Sequence, residues 1–253
     1  MLDPSDGSTA SGTRGPTFNV SHDAAPQESL LVGFSSFGLA GLTAVDYLVD
    51  QLEMDEVGHI SATGLPSITP FVEGRPHHPI RLFSRDDLDV TVLEGELLVP
   101  PFAGESLSEA ILDWTAEHDV HDIAILTGVP MAHDPEEHRT YYVATDDYHD
   151  RRLTETDVQP MGQGFLDGFN ATLLEQGMDS SLGVGVYITP IHPQPQDVEA
   201  AIRLVETIST VYGLSVDAGP LRTFAEEIQK YFTDLAERLE VRPEELPEDR
   251  MYM

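Results

Sequence analysis

The sequence predicts an α/β protein in which helices cover both faces of a parallel or mixed β-sheet. Short apolar runs at 29–34, 122–128 and 186–189 have the composition of strands that are buried on both faces. Segments with helical periodicity stand between these runs and after the last of them. Strands that alternate with helices in this way are typical of a sheet packed between two layers of helices.

The first half of the chain predicts a βαβ unit with further strands around it. The strand at 29–34 runs into a turn that contains Gly38 and then into a helix. The apolar face of that helix holds Gly41, Val45, Leu48 and Leu52. A strand at 59–62 would complete the unit. The proline-rich stretch 64–79 is expected to be a loop, and further short strands are expected at 17–20, 80–83 and 90–98.

The second half is richer in helical patterns. Apolar residues Leu107, Ala110, Ile111 and Trp114 recur at helical spacing within 105–119. Further helical segments are expected at 165–176 and 196–212, and an apolar stripe continues from Leu221 to Leu239.

Composition divides the chain into one domain and two terminal extensions. Residues 1–16 are rich in Ser, Gly, Asp, Thr and Pro, which predicts a disordered N-terminal extension. Residues 17–240 show neither a linker nor a repeat of fixed period, so we expect a single α/β domain. Residues 241–253 contain two prolines and four acidic residues, which predicts a flexible acidic tail.

The charge of the chain excludes several classes of function. Thirteen Lys and Arg residues stand against 45 Asp and Glu residues, which gives a formal net charge of −32. Binding to nucleic acids or to anionic membranes requires clustered cations, so neither is expected. Hydrophobic content is an ordinary 40%, and Lys230 is the only lysine. A folded protein covered with carboxylates is typical of a halophilic cytosol, where salt screens charge over ~3 Å.

Cysteine is absent, so the chain has no disulfide and no thiolate ligand or nucleophile. The N-terminus lacks the charged and apolar regions of a signal peptide. Two uncharged windows, 29–45 and 180–196, are too short and too rich in Gly, Ser or Pro to span a membrane. We therefore expect a cytoplasmic protein.

The glycine turn is the first candidate ligand site. Gly33, Gly38 and Gly41 lie between a strand and a helix, where backbone N–H groups can hold a phosphate. The spacing matches neither dinucleotide nor P-loop motifs, and Phe37 prevents Ser35 and Ser36 from forming a nucleophile elbow. Glycines that serve only a tight turn are the simpler interpretation, and the ligand site is the alternative.

Other chemistry-bearing residues form no recognisable constellation. The histidine groups, which are His77 with His78, His118 with His121 and His133 with His138, lack metal-site spacing, so no metal and no cofactor are expected. With 45 acidic residues, no catalytic carboxylate pair can be singled out, and we predict no catalytic residue. Tyr141 and Tyr142, and Phe165 and Phe169, are expected to pack in the core, with a pocket or an oligomer face as the alternative.

The tail ends in Met251, Tyr252 and Met253, which is unusual for an acidic tether. An exposed apolar triplet at the end of a tether lowers solubility, which favours a role in docking to a partner. The aromatic ring, the thioethers and the free carboxylate of the triplet would all contact that partner. The alternative is an end that folds back on its own surface.

Several short motifs resemble the archaeal proteasome assembly chaperone family, also called proteasome assembly chaperone family 2. The motifs are Val32-Gly33-Phe34-x3-Gly38-x2-Gly41, Val45-Asp46-Tyr47-Leu48, Leu112-Asp113-Trp114, Gly162-x-Gly164-x3-Gly168 and Asp197-x2-Ala200-Ala201. They occur in order over residues 28–240, and their order is more specific than any one of them.

This resemblance implies a three-layer α/β/α fold, similar to nucleoside-phosphorylase-like domains, without established catalytic residues. It implies an oligomeric, non-enzymatic chaperone whose partners are 20S proteasome α-subunits. Met251, Tyr252 and Met253 resemble the hydrophobic–Tyr–any-residue tail that docks into pockets of the proteasome α-ring. The alternative function is a nucleoside- or nucleotide-processing enzyme that uses the turn at 33–41.

Overall fold

The structure is a computed structural model that describes residues 15–131, 137–192 and 196–226. Its main feature is a nine-stranded mixed sheet with the strand order β1-β3-β6-β7-β2-β8-β11-β9-β10. The strands are β1 (Thr17–His22), β2 (Ser29–Phe34), β3 (Asp55–Thr63), β6 (Ile80–Ser84), β7 (Val90–Gly95), β8 (Asp122–Pro130), β9 (Tyr141–Ala144), β10 (Gln159–Pro160) and β11 (Gly183–Ile191). A separate two-stranded hairpin comprises β4 (Phe71–Val72) and β5 (Arg75–Pro76).

The centre of the sheet is parallel, and an antiparallel pair joins it to each flank. Strands β7, β2, β8 and β11 are parallel neighbours, and all are almost completely buried. This burial agrees with their continuous apolar runs. Strands β1, β3 and β6 extend the sheet on one side as antiparallel neighbours.

Helices pack on both faces of the parallel strands, which gives three layers. The helices are α1 (Ala40–Gln51), α2 (Gly104–Glu117), α3 (Asp146–Tyr148), α4 (Gly168–Met178) and α5 (Val198–Tyr212). Helices α1 and α5 contribute Val45, Leu48 and Val205 to the core on one face. Helices α2 and α4 contribute Ile111 and Leu173 to the core on the other face. The predicted α/β/α architecture is therefore confirmed, and residues 219–226 are helical as expected.

The predicted βαβ unit is wrong in its third element. The strand after α1 is β3, but it pairs antiparallel with β1 and β6 and lies three places from β2 in the sheet. The burial of β3 agrees with this position, because only Ile60 of its nine residues is fully buried. A strand with one wetted face suits an antiparallel flank better than the buried parallel centre.

Other differences concern short elements. The loop expected at 64–79 contains the hairpin β4–β5, and the strand expected at 90–98 ends at Gly95. Strands β9 and β10 were not predicted, because runs of four and two residues carry too little periodicity.

A buried polar network holds together the amino ends of the parallel strands. Asp122, at the start of β8, is fully buried and accepts hydrogen bonds from Tyr212 (2.8 Å) and Arg152 (3.0 Å). Arg152 also donates to Ser29 Oγ at the start of β2 (2.7 Å). The hydroxyl oxygen of Tyr148 lies 2.9 Å from the hydroxyl oxygen of Tyr212. Arg152 and Tyr212 satisfy the buried carboxylate directly, and their further contacts with Ser29 and Tyr148 tie β2, β8, α3 and α5 together at this end of the sheet.

Candidate functional site

The candidate site is a crevice at the carboxyl ends of β2 and β8. Chain connections leave these neighbouring strands in opposite directions. The next parallel strand after β2 is its neighbour β7 on one side, and the next after β8 is its neighbour β11 on the other side. Open α/β sheets bind ligands in the crevice at such a switch point. Here the crevice has a volume of about 540 Å³, which falls within the usual range for ligand sites. Its lining comprises residues 34–37, 39, 98–101, 125–127 and 167–170.

The predicted glycine turn forms one wall of this crevice. Ser35 fixes the start of the turn, because its N–H donates to Gly95 O (2.8 Å) and its hydroxyl to Glu96 O (3.0 Å). Gly38 has φ 71°, a conformation that favours glycine, and its carbonyl accepts a hydrogen bond from Asp197 N (2.8 Å). The turn is thus held by the end of β7 and by the beginning of α5.

Gly33 and Gly41 allow α1 to pack closely on the sheet and do not line the crevice. A Cβ atom on Gly33 would lie 2.6 Å from a methyl group of Val45 and would also overlap the Gly41 carbonyl. A Cβ atom on Gly41 would overlap the carbonyl oxygen of Leu126 on β8. These contacts give both glycines a role in packing helix against strand, which differs from the tight turn that the sequence predicted.

Ser36 is the residue of the turn that remains available to a ligand. Its Oγ is buried and has no hydrogen-bond partner among the described residues, and Ser36 lines the crevice. The crevice is otherwise mostly apolar, and of its lining residues Asp167 alone is charged. Without Lys or Arg in the lining, nothing here would neutralise a phosphate. The crevice therefore suits an uncharged, largely apolar group.

Two exposed apolar side chains line the crevice, and two others lie within two residues of its lining in the chain. Phe37 and Leu98 line it and are 77% and 65% exposed. Phe102 is also exposed and follows the lining residue Pro101. Phe165 is fully exposed, two residues before Asp167, so the prediction that it packs in the core is wrong. Its predicted companion Phe169 does pack, with its ring 5.1 Å from that of Phe34.

A buried carboxyl group, which the sequence did not reveal, lies on β7. The side chain of Glu94 is 4% exposed and accepts a hydrogen bond from Arg81 (3.0 Å). Burial raises the pKa of Glu94 to about 7, although the Arg81 guanidinium opposes the rise. Burial also raises the pKa of nearby Asp46 on α1. The sequence could not single out Glu94 among 45 acidic residues, because its burial depends on the tertiary structure.

The predicted histidine groups are dispersed in the structure. His77 lies 2.7 Å from Glu96, whereas its neighbour His78 stacks on His59 at a centroid distance of 3.6 Å. His118 Nδ1 lies 2.8 Å from the carbonyl of Trp114. His133 lies outside the described residues. Within the described residues, no group of three or more His, Asp or Glu side chains is arranged to hold a metal ion.

The two predicted tyrosines are partly buried at the β9 end of the sheet. Tyr142 packs against the core on the α1 and α5 face, as expected. The other candidate site, Met251, Tyr252 and Met253, lies outside the described residues. None of the described helices is long and apolar enough to span a membrane.

The sequence matches the model of the PAC2 family over residues 30–236, which is most of the chain. Among curated proteins, none matches this sequence significantly.

Solved structures with the same fold come from archaea and bacteria. Pyrococcus furiosus PbaA, an archaeal homolog of proteasome-assembly chaperone, aligns with a TM-score of 0.80 and 20% identity. That alignment covers 88% of this chain and 93% of PbaA. Pyrococcus furiosus PbaB, an archaeal proteasome activator, aligns with a TM-score of 0.72 and 18% identity over 88% and 99% of the two chains. A Mycobacterium tuberculosis proteasome-assembly chaperone homologue aligns with a TM-score of 0.62 and 15% identity over 81% and 94%.

Proposed function

We propose that this chain, which belongs to the PAC2 family, is a non-enzymatic, homo-oligomeric chaperone or activator that binds the α-subunits of the 20S proteasome. The observation that carries the proposal is the family match over residues 30–236. The folds of PbaA and PbaB support it, since one is a homolog of a proteasome-assembly chaperone and the other a proteasome activator.

Several features of the site favour binding over catalysis. The crevice presents the unpartnered hydroxyl of Ser36 among apolar side chains, and Glu94 does not line it. A nucleotide-processing enzyme would need a group that neutralises phosphate, and the described lining contains no Lys or Arg. The described lining therefore gives no support to a nucleotide-processing enzyme, which is one form of the enzymatic alternative.

We further propose that Met251, Tyr252 and Met253 dock into pockets of the α-ring. The Tyr252 ring supplies a rigid apolar body with a hydroxyl, and Met251 supplies an adaptable apolar contact. In a homo-oligomer, several such tails would bind together, and the resulting avidity would exceed the affinity of one tail.

The experiment is a pull-down of proteasome α-subunits in molar KCl. The full chain should retain α-subunits, and a chain that ends at Arg250 should lose most of them. Capture by neither chain would overturn the proposed function. Equal capture by both would show that the tail is dispensable and that the folded domain carries recognition.

A single substitution tests the role of the tyrosine apart from that of the rest of the tail. Tyr252→Ala keeps the chain length and the terminal carboxylate but removes the aromatic ring. We expect it to bind α-subunits about as weakly as the truncated chain. As the matched control, Tyr141→Ala removes a partly buried tyrosine of the folded domain and should leave capture unchanged once folding is verified.

A further inference from the structure

Two histidines from different elements meet at one edge of the sheet. His22 is the last residue of β1, the outermost strand, and His118 directly follows α2, which packs on that strand. Their ring centroids are 4.6 Å apart, and the ring planes are nearly perpendicular, at 82°. The sequence suggested His121 as the companion of His118, because His22 is distant in the chain and only the packing of α2 on β1 brings it close.

Backbone carbonyl groups fix both rings in the same tautomer. His22 Nδ1 lies 2.7 Å from the carbonyl oxygen of Ala24, and His118 Nδ1 lies 2.8 Å from that of Trp114. Because a carbonyl oxygen only accepts, each Nδ1 carries a proton and donates it, so Nε2 of the neutral ring has a bare lone pair. Neither Nε2 has a hydrogen-bond partner among the described residues. Metal-binding histidines typically have this arrangement, in which the other ring nitrogen donates to a carbonyl or a carboxylate.

The separation of the two rings suits a shared metal ion. An ion about 2.1 Å from each Nε2 lies about 3.2 Å from each ring centroid, so the two centroids are roughly 4.5 Å apart at a right angle and roughly 5.2 Å apart at a tetrahedral angle. The observed 4.6 Å matches the right angle. Right-angled coordination by nitrogen is typical of Cu²⁺ and Ni²⁺, whereas structural Zn²⁺ sites are tetrahedral.

Another close pair of histidines has a geometry that does not suit a metal ion. The rings of His59 and His78 stack in parallel, with centroids 3.6 Å apart and an interplanar angle of 1°. Nitrogen lone pairs lie in the ring plane, so those of two stacked rings run side by side and do not converge on one ion. The nearly perpendicular planes of His22 and His118 carry no such restriction.

The surroundings of His22 and His118 favour a cation. Both histidines are half-buried, so an ion can reach them from the solvent. Asp23 follows His22 and Asp119 follows His118, and both aspartates are exposed. Their charge, within a chain of net charge −32, raises the local concentration of cations.

Trp114, the only tryptophan of the chain, packs against both histidines. Its ring centroids lie 5.9 Å from that of His22 and 5.6 Å from that of His118. Trp114 Nε1 is buried and has no hydrogen-bond partner among the described residues. This N–H group is a donor beside the two imidazoles that a water molecule held by an ion could satisfy.

We propose that His22 and His118 bind one divalent transition-metal ion through their Nε2 atoms. Imidazole is a good ligand for Cu²⁺ and Ni²⁺, and Cu²⁺ binds such nitrogen ligands more tightly. The bound ion ties the outermost strand β1 to α2, and water occupies its remaining coordination positions. Because β1 lies four places from β2 in the sheet, this site is separate from the crevice and does not depend on the proposed function.

The test is quenching of Trp114 fluorescence by Cu²⁺, measured on the full chain without a purification tag in molar KCl. Quenching should saturate at one equivalent and be reversed by a chelator. His22→Asn and His118→Asn should each raise the Cu²⁺ concentration of half-maximal quenching at least about tenfold, because a single imidazole loses the gain from chelation. His78→Asn is the matched control, since it removes a histidine of the stacked pair, and it should keep the natural value. Circular dichroism verifies that each variant folds.

A second measurement identifies the ligands directly. Pulsed electron paramagnetic resonance at one equivalent of Cu²⁺ should detect two imidazole ligands in the natural chain and at most one in each variant of the pair. The proposal is overturned by quenching that does not saturate, by natural half-maximal concentrations in His22→Asn and His118→Asn, or by a comparable loss in His78→Asn. A resonance signal without imidazole nitrogen would assign Cu²⁺ to surface carboxylates and would overturn it as well.

Discussion

Glu94 shows how one buried side chain can make stability depend on pH. The carboxyl group contacts Arg81, yet burial is the larger influence and raises its pKa from 4.5 to about 7. Between these two values, the folded chain holds a proton that the unfolded chain has released. The contribution of Glu94 to stability is therefore complete at low pH and is lost as the pH rises through about 7.

We predict that Glu94→Gln flattens the pH dependence of the thermal unfolding midpoint. In the natural chain, this group lowers the midpoint as the pH rises from about 4.5 to about 7, whereas a glutamine cannot titrate. Thermal unfolding followed by circular dichroism across this range measures the difference. Glu109→Gln, on the exposed surface of α2, is the matched control and should keep the natural profile. Identical slopes in Glu94→Gln and the natural chain would contradict the predicted role of burial.

Helix α1 illustrates how a small residue determines the packing of an element. Its apolar face holds Ala44, Val45 and Leu48, as the helical period predicts. How closely this face approaches the sheet depends on Gly41, whose Cα lies against the backbone of β8. The sequence placed Gly41 in a turn motif, but its role is to let helix and strand meet.

We predict that Gly41→Ala lowers the free energy of unfolding by about 1–3 kcal/mol, because the added methyl group overlaps the Leu126 carbonyl and pushes α1 away from β8. Urea unfolding in constant salt measures the loss. Gly162→Ala is the control, since a Cβ atom there meets nothing within 4 Å. An unchanged stability of Gly41→Ala would mean that α1 can shift at no cost.

At the scale of the whole molecule, the two ends of the parallel strands differ. The carboxyl end of the parallel strands carries the crevice and the exposed phenylalanines, whereas the amino end is held by the Asp122 network. A net charge of −32 on a single domain disfavours the compact state through self-repulsion. Stability should therefore depend on the salt concentration.

We predict that the unfolding midpoint rises as KCl increases from about 0.1 M to about 2 M, since the screening length falls from ~10 Å to below ~3 Å over this range. Calorimetry at several KCl concentrations measures the change. Sucrose at equal osmolality is the control, because it strengthens burial without screening charge. An equal rise in sucrose would show that charge repulsion is not the cause.

Much of the fold could be predicted from the sequence, but less of the site. The buried strands β2, β8 and β11 and the helices α1, α2 and α5 were expected near their observed positions, since each has a strong period or a continuous apolar run. The direction of β3 was not expected, because local periodicity does not show which strand is its neighbour. Ser36 was among the candidate residues, but its buried, unpartnered hydroxyl became evident only with the crevice around it.

The sequence by itself determined the charge, the alternation of strands and helices, and the motifs of the family. Each of these depends on composition or on residues that are near one another in the chain. The tertiary structure decided which strands are neighbours, that carboxyl groups such as those of Glu94 and Asp122 are buried, and that Phe165 is exposed. These properties depend on contacts between residues that are far apart in the chain, such as β2 with β8 or Arg81 with Glu94, and a local pattern does not encode them.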